Sequence, residues 1–378
     1  MEIETTKAAT LPNNFKSQEY FINMGPQHPA THGVLRLVLT IDGEIIKKVE
    51  PDLGYIHRSI EKMSERDSYQ QIVHLTDRMD YLSSHINNEA VALTVEKALE
   101  LEIPDRVKVI RTIISELTRI ASHTLWWGVI GMDLGALTTY FYGFRDREMI
   151  NDIFEETCGA RLTMNYNMPG GLMYDIHPNF VKRVKDFVAH FRTKLPEYDR
   201  LLSGNIIFQK RMKGIGFLSK EDAISFGASG PIGRGSGYSC DVRKHHPYSA
   251  YDRVTFNEIL KTEGDSYARY LVRIAEMWES LNIIEQLIDN IPEGETRVKT
   301  NAVIKLPKGE FYQKVETARG ELGVYIISTG TKSPYRIKFR SPGFSNLSLL
   351  NHISVGGKIG DLVATMATLD LVIPDIDR

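Results

Sequence analysis

Cysteine is almost missing from this chain: 378 residues hold two, Cys158 and Cys240, far apart in sequence. Two thiols build neither a disulfide framework nor a four-cysteine metal site, so any redox metal working with the chain is expected on another subunit. Long apolar runs are missing too. The longest, Leu362 to Ile373, is broken by Thr365, Thr368 and Asp370 and falls short of the roughly 20 apolar residues that a bilayer crossing needs. Membrane association is therefore expected to be peripheral, through a partner. Neither sign of charge is in excess, since 46 Lys+Arg stand against 48 Asp+Glu for a formal net charge of -2, and no long basic run offers a footprint for nucleic acid. The opening residues Met-Glu-Ile-Glu-Thr-Thr-Lys are charged and have no apolar h-region, which leads to the expectation of a cytoplasmic protein.

What is present suffices for a large core. With 42% hydrophobic and 25% charged residues, the chain reads as globular, with one big core or two to three subdomains. Residues 19–24, 34–40 and 44–50 read as strands, the last two joined by the hairpin signal Asp42-Gly43. From about Asp77 the pattern turns helical, with Met79, Leu82, Ile86, Ala90 and Leu93 on one face and Thr76-Asp77 as the cap. Pro104-Asp105 opens a second helix, striped by Ile110, Ile113, Ile114, Leu117 and Ala121. Further helices at about 136–158, 178–203 and 256–290 make the middle of the chain a helical bundle. The glycine-rich stretch 227–237 matches neither a dinucleotide fingerprint nor a P-loop and reads as a structural crossing. Residues 291–310 form a polar linker to a last unit, where Tyr335, Ile337 and Phe339 alternate with Arg336, Lys338 and Arg340 as in a half-buried strand. The expected fold is α+β: a mostly helical bundle core with a small N-terminal antiparallel sheet and a C-terminal β-hairpin unit. Its expected regions are 1–62, 63–290 and 291–378, the last comprising linker, hairpin and C-terminal helices.

Candidate chemistry starts at Gly25-Pro-Gln-His-Pro-Ala-Thr-His-Gly-Val-Leu-Arg36. Pro26 and Pro29 forbid a helix there, while Gly25 and Gly33 permit tight turns, so His28 and His32 sit on a loop tip. Histidine titrates near neutral pH; the alternative is a hairpin corner whose histidines only bond backbone. A metal pair is disfavoured, because the spacing of these histidines suits a helix that the prolines exclude. On the helix from Asp77, Arg78, Tyr81 and His85 form a titratable stripe in which Tyr81 could donate a proton or simply mark an amphipathic edge. Asp133, between Gly131 and Gly135, reads as a loop or helix-start carboxylate, by default a cap. Arg58, in Gly54-Tyr-Ile-His-Arg-Ser-Ile-Glu-Lys62, could bond a sulfide or a carboxylate, or only Glu61.

Six stretches, GPQHPATHGVLR at 25–36, GYIHRSIEK at 54–62, DRMDYL at 77–82, MDLGALT at 132–138, ARGELGVY at 318–325 and PYRIKFRSPGF at 334–344, together resemble one family. This is the D-type or 49 kDa-type core subunit of proton-translocating NADH:quinone oxidoreductase, respiratory complex I. The resemblance runs in order from about residue 19 to the C-terminal end. The family is related to the large subunit of nickel-iron hydrogenases, which implies a hydrogenase large-subunit-like fold. Those proteins hold their metal with paired cysteines near both ends of the chain; by resemblance, Asp80 and Ser83 stand at the first pair of ligand positions and Val372 and Asp375 at the second. With all four thiolates gone, a nickel-iron centre cannot form.

The resemblance further implies that the emptied site heads a quinone cavity in which His32 and Tyr81 bond the two carbonyl oxygens of the head group. Asp133 would be linked to His32 and couple protonation to conformational change, and Arg58 would face a 4Fe-4S cluster in the adjoining B-type subunit. Electrons would come from NADH through FMN and iron-sulfur centres, coupled to proton translocation. Implied partners are the B-, C- and I-type subunits and the H-type subunit of the membrane arm, with a peripheral place on the cytoplasmic side of the cell inner membrane. The chemistry of the residues is compatible: quinone reduction takes two electrons and two protons, and a histidine near 6.5 and a tyrosine near 10 are local donors. Two other readings remain open, the same core fed by ferredoxin or another non-NADH donor, and a non-catalytic hydrogenase-derived scaffold. The retained His/Tyr pair argues against the scaffold.

Two departures stand out. Within Gly159–Gly171, Thr163 replaces a usual histidine and Met168 a usual arginine, and the 291–310 segment is shorter than in relatives. The missing histidine belongs near the terminal cluster. A unit charge about 10 Å away at an effective dielectric of about 20 is worth about 1.7 kcal/mol, or about 70 mV for one electron. The cluster is therefore expected to have a lower, less pH-dependent potential and to serve a low-potential quinone such as menaquinone. A redox titration of the assembled complex should show a shallow pH dependence for that cluster; a steep one would overturn the expectation.

Overall fold

The computed structural model describes residues 19–28, 31 and 33–378. Strands β1 (Glu19–Met24), β2 (Arg36–Asp42) and β3 (Ile45–Asp52) form an antiparallel sheet in that order. Leu37, Leu39 and Ile41 alternate inward on β2, facing the same core as Ile46 and Val49 of β3, which is why a period of two was readable there. Gly25 enters this sheet at φ +89°, and a Cβ on it would lie 2.1 Å from the Leu35 carbonyl oxygen. Only glycine allows that approach.

Helices α1 (Ile60–Ser64) and α2 (Tyr69–Thr76) follow, then α3 (Ser84–Ala98), α4 (Asp105–Asp133) and α5 (Leu137–Cys158). The bundle forms around α4, whose 29 residues are buried on nearly every side, as expected of a helix surrounded by others. After a two-residue hairpin, β4 (Asn167–Met168) and β5 (Gly171–Leu172), come α6 (Phe180–Tyr198) and the short helices α7 (Ile206–Met212), α8 (Lys220–Ser225), α9 (Gly230–Gly235) and α10 (Val242–His245). The long α11 (Ser266–Ile288) completes the bundle. Strands β6 (Gly309–Thr317), β7 (Gly320–Ser328) and β8 (Arg336–Arg340) form a second antiparallel sheet, followed by α12 (Pro342–Ser354), α13 (Ile359–Leu369) and α14 (Ile373–Asp377). One apolar core joins the bundle to β6–β8, and a second lies between the N-terminal sheet and α8, α9 and α12 to α14.

The fold is α+β and about half helical, and four expectations need correction. The helix placed from Asp77 starts only at Ser84, so Thr76 and Asp77 end α2 rather than cap α3. The helix placed at 256–290 starts at Ser266, where Asp265 caps it by accepting from the Ala268 amide at 2.8 Å. The C-terminal β-hairpin unit is a three-stranded sheet, because β8 with its buried Ile337 and Phe339 adds to β7. Asp133 is the last residue of α4, not a helix start. Of the glycine-rich stretch, Gly230 crosses the β6–β7 turn so closely that a Cβ would sit 2.4 Å from the Arg319 carbonyl oxygen.

Helices α4 and α5 meet through Gly128 and Gly143, and a Cβ on Gly143 would lie 2.7 Å from the Thr124 carbonyl oxygen. Gly143→Ala gains at most about 1 kcal/mol of helix propensity against an overpacking cost of about 1–3 kcal/mol. The expected net effect is a lower thermal midpoint of the assembled complex. A raised midpoint would show that the backbone contact yields freely.

Candidate functional site

The segment Asp77–Ser83, between α2 and α3, leaves the helix because its carboxylates find better partners than helical geometry offers. Asp77 accepts from the Asn88 amide at 2.8 Å and the Asn165 backbone N–H at 3.0 Å. Asp80 accepts from the Leu82 backbone N–H at 3.1 Å and from Arg319 Nη1 at 2.8 Å. This irregular path turns Tyr81 outward, 38% exposed, while Asp80 and Ser83 are buried.

Arg319, buried on the β6–β7 turn, is the hub. Besides Asp80 it donates to Ser122 Oγ at 3.2 Å, to Asp370 Oδ1 at 3.2 Å and to the Asp370 carbonyl at 3.0 Å. Asp370 caps α13 in the left-handed region at φ 52°, the conformation that places its carbonyl and carboxylate toward one guanidinium. Two buried carboxylates on one guanidinium leave an excess negative charge, and Arg273, with Nε 3.9 Å from Asp370 Oδ2, offsets it. Arg273 also lies over the Trp126 ring at 4.6 Å. Arg319 and Asp370 were not singled out as site residues from sequence, although Arg319 lies in one of the six stretches that carry the family resemblance and Asp370 adjoins the second pair of ligand positions.

Above this floor opens a cleft of about 180 Å³, room for a single ring. Its walls are Tyr81 and Leu82, then Leu125, Trp126 and Val129 of α4, and Asp370 to Val372, with Arg319 at the base. The lining is mostly apolar with a few polar groups, the usual make-up of a small-molecule site. Burial raises the pKa of Tyr81, Arg319 opposes that, and Asp80 and Asp370 add to it; the phenol keeps its proton at neutral pH. Asp133 lies one helical turn beyond Val129, at the half-buried end of α4, where the helix dipole disfavours a carboxylate.

His32 lies outside the described residues, as does Pro29. The loop's flanks are fixed: Thr31 is buried and donates to the His28 carbonyl, and Gly33 abuts Ile373, which a Cβ would meet at 3.7 Å. The loop thus packs against the residue that follows the cleft-lining stretch 370–372. His28 is exposed and pairs with Gly33 through backbone. Arg58 is exposed and does not pair with Glu61, whose carboxylate takes Lys338, Arg378 and the Phe339 amide. The titratable stripe is broken up: Arg78 bonds the His74 carbonyl at the surface, whereas burial lowers the pKa of His85 to about 3. Thr163 is half-buried, and Met168 is buried with its carbonyl accepting from Arg111.

The family model described as "Respiratory-chain NADH dehydrogenase, 49 Kd subunit" matches residues 133–305 and 299–378. The chain belongs to this family. It is 55% identical to the C/D subunit of NADH-quinone oxidoreductase from Bacteroides thetaiotaomicron over 381 aligned positions, covering all of this chain and 72% of that protein. It is 46% identical to the D subunit of the enzyme from Bacillus cereus over 363 positions and to that from Desulforamulus reducens over 362, each covering 96% of this chain and 99% of the relative. Asp80, Ser83, Val372 and Asp375, the four positions that by resemblance match cysteine ligands, are all buried. Among the described residues, no three His, Cys, Asp or Glu side chains gather as a metal site.

Asp375 accepts from the Ser341 hydroxyl, and burial together with the charge of Asp80 pushes its pKa from 3.8 up to about 6. Its protonated form is favoured by the fold, so its contribution to stability is complete below pH 3.8 and is lost as pH rises through about 6. Above that, ionisation costs about 2–3 kcal/mol. Asp375→Asn keeps an acceptor for Ser341 and cannot ionise. The variant is expected to flatten the pH dependence of the thermal midpoint across this window and to gain stability at neutral pH; an unchanged slope would rule the acid out as its source.

Proposed function

We propose that this chain is the quinone-reducing core of a complex I-type NADH-quinone oxidoreductase, forming the quinone site together with the B-type subunit. The observation that carries the reading is the cleft itself. A protonated Tyr81 stands at its mouth over a base of Arg319 and Asp370, with Val372, which by resemblance matches a hydrogenase ligand position, in the wall. Apolar walls suit a quinone ring, and excluding water there strengthens every polar contact made to its oxygens.

The iron-sulfur cluster of the B-type subunit supplies the electrons, originally from NADH through FMN. This chain supplies protons and orientation. Tyr81 donates its phenolic proton to one quinone oxygen as charge develops there, and Arg319 limits the cost of the tyrosinate left behind. His32 serves the other oxygen from the loop whose flank packs on Ile373. Asp133 holds that histidine and, when the link breaks, passes the protonation change into α4 as the start of proton translocation. Arg58, exposed and not paired with Glu61, faces the cluster. With Thr163 in place of the usual histidine, the preferred acceptor is a low-potential quinone such as menaquinone.

Met132, Leu137 and Phe141 expose an apolar patch around the α4–α5 turn. This patch is the proposed seat of the H-type subunit of the membrane arm, beside the cleft that a lipid-borne quinone must reach; the B-, C- and I-type subunits cover other faces. No helix among the described residues is long and apolar enough to cross a membrane; the proposed place in the complex is peripheral, on the cytoplasmic side.

Tyr81→Phe and His32→Ala in the assembled complex should each cut quinone reductase activity by about 100-fold, the low end for lost general acid catalysis. Reduction of the upstream clusters by NADH should stay intact. Normal quinone turnover in both variants would refute the site.

A further inference from the structure

Tyr81 and Leu82 have a second side. They line the main cleft and also a narrow recess behind it, of about 10 Å³, bounded by Ser84 and His85 of α3 and by Arg147 and Asn151 of α5. That volume is about what one water requires. The recess reaches the surface beside Arg161 and Leu162, the latter 45% exposed.

Three of its lining side chains carry buried polar atoms with no partner among the described residues: His85 Nδ1, Arg147 Nε and Asn151 Oδ1. Each such orphan costs about 1–3 kcal/mol, so three around one small space need a common explanation. Their chemistry fits a single water. Arg147 Nε–H is a donor, and Asn151 Oδ1 is an acceptor because its amide already donates to Glu148 at 2.9 Å. His85 Nδ1 is a second acceptor in the tautomer whose Nε2–H points to Cys158 Sγ, 3.8 Å away. The ring cannot rotate freely, being held against Phe154 at 4.7 Å and Tyr166 at 5.9 Å. Burial keeps it uncharged, and a neutral imidazole is what an acceptor role demands.

We propose that one water occupies this recess, held by His85, Asn151 and Arg147, and that it returns a proton to Tyr81 from behind after Tyr81 has protonated quinone. The inference rests on the quinone-site reading. As the Tyr81 O–H bond breaks toward a quinone oxygen, the water turns the O–H it gives to Asn151 Oδ1 toward the phenolate. That O–H bond breaks to re-form the Tyr81 hydroxyl, and the hydroxide left, held by Arg147 Nε–H, takes a proton from solvent past Arg161 and Leu162. No electron moves in this step. With a ring filling the cleft, the rear path is the one the ligand does not block. His85, Asn151 and Arg147 are positioning residues, acting through the water.

The test measures quinone reductase turnover of the assembled complex in H₂O and D₂O. Asn151→Leu and His85→Phe each remove an acceptor and should slow turnover by about tenfold, a modest share of the span attributed to proton-transfer groups, while enlarging the solvent isotope effect. His85→Gln, which keeps an acceptor, should restore most of the rate. Parent rates and isotope effects in both apolar variants would overturn the relay. Where those variants fail to assemble, a map of the parent complex that resolves ordered waters decides: density between His85 and Asn151 supports the relay, and its absence overturns it. Tyr81→Phe separates the two proposals, since full turnover there sinks the quinone site itself, whereas slow Tyr81→Phe with normal Asn151→Leu sinks the relay alone.

Discussion

The ion cluster of Asp80, Arg319 and Asp370 is the constraint on which the rest of the site depends. Taking each of these charges out of water costs several kcal/mol, and removing one partner of such a cluster typically costs about 3–5 kcal/mol. The three residues come from the α2–α3 segment, the β6–β7 turn and the end of α13, so satisfying them forces distant parts of the chain to meet at one point. Tyr81 is placed by that meeting rather than by any helix of its own.

Charge pairing continues inward from the site. Arg273 connects Asp370 to α11, where Glu276 meets His123 at 2.9 Å and also pairs with Arg234. Arg234 bonds Glu316 at 2.7 Å, Arg243 bridges Asp241 at 2.6 Å and Glu116 at 3.1 Å, and Arg119 closes on Glu116 at 3.3 Å. These side chains are all buried. The network explains how α4 and α11 can be surrounded by protein and still carry glutamates and arginines, and multiply bonded networks of this kind fix one arrangement of the helices that bear them. The cleft therefore has a stiff floor.

The N-terminal strands, α4 from Asp105 and α5 were legible in the sequence, β2 and α4 through a clear apolar period. The family was legible as well, because six ordered stretches carry it. Legibility failed where a side chain's partner is remote. Met79 and Leu82 sit at helical spacing, yet Asp77 and Asp80 are drawn to Asn88, Asn165 and Arg319, and the helix does not form. Asp133 resembled a cap because its neighbours are glycines; that α4 runs on to it depends on burial against α5.

By itself, the sequence determined which chemistry is possible: two distant cysteines exclude a four-cysteine cluster held by this chain, apolar periods set the bundle, and six ordered stretches carry the family. Only the tertiary structure decided which groups work together. It joined Arg319 to Asp80 and Asp370, detached His85 from the supposed stripe and buried it uncharged behind Tyr81, and left Arg58 apart from Glu61. The physical reason is that spacing along a chain specifies neighbours within one element, whereas pKa shifts and ion pairing arise from desolvation and from charges brought across elements, which exist only once the chain has packed.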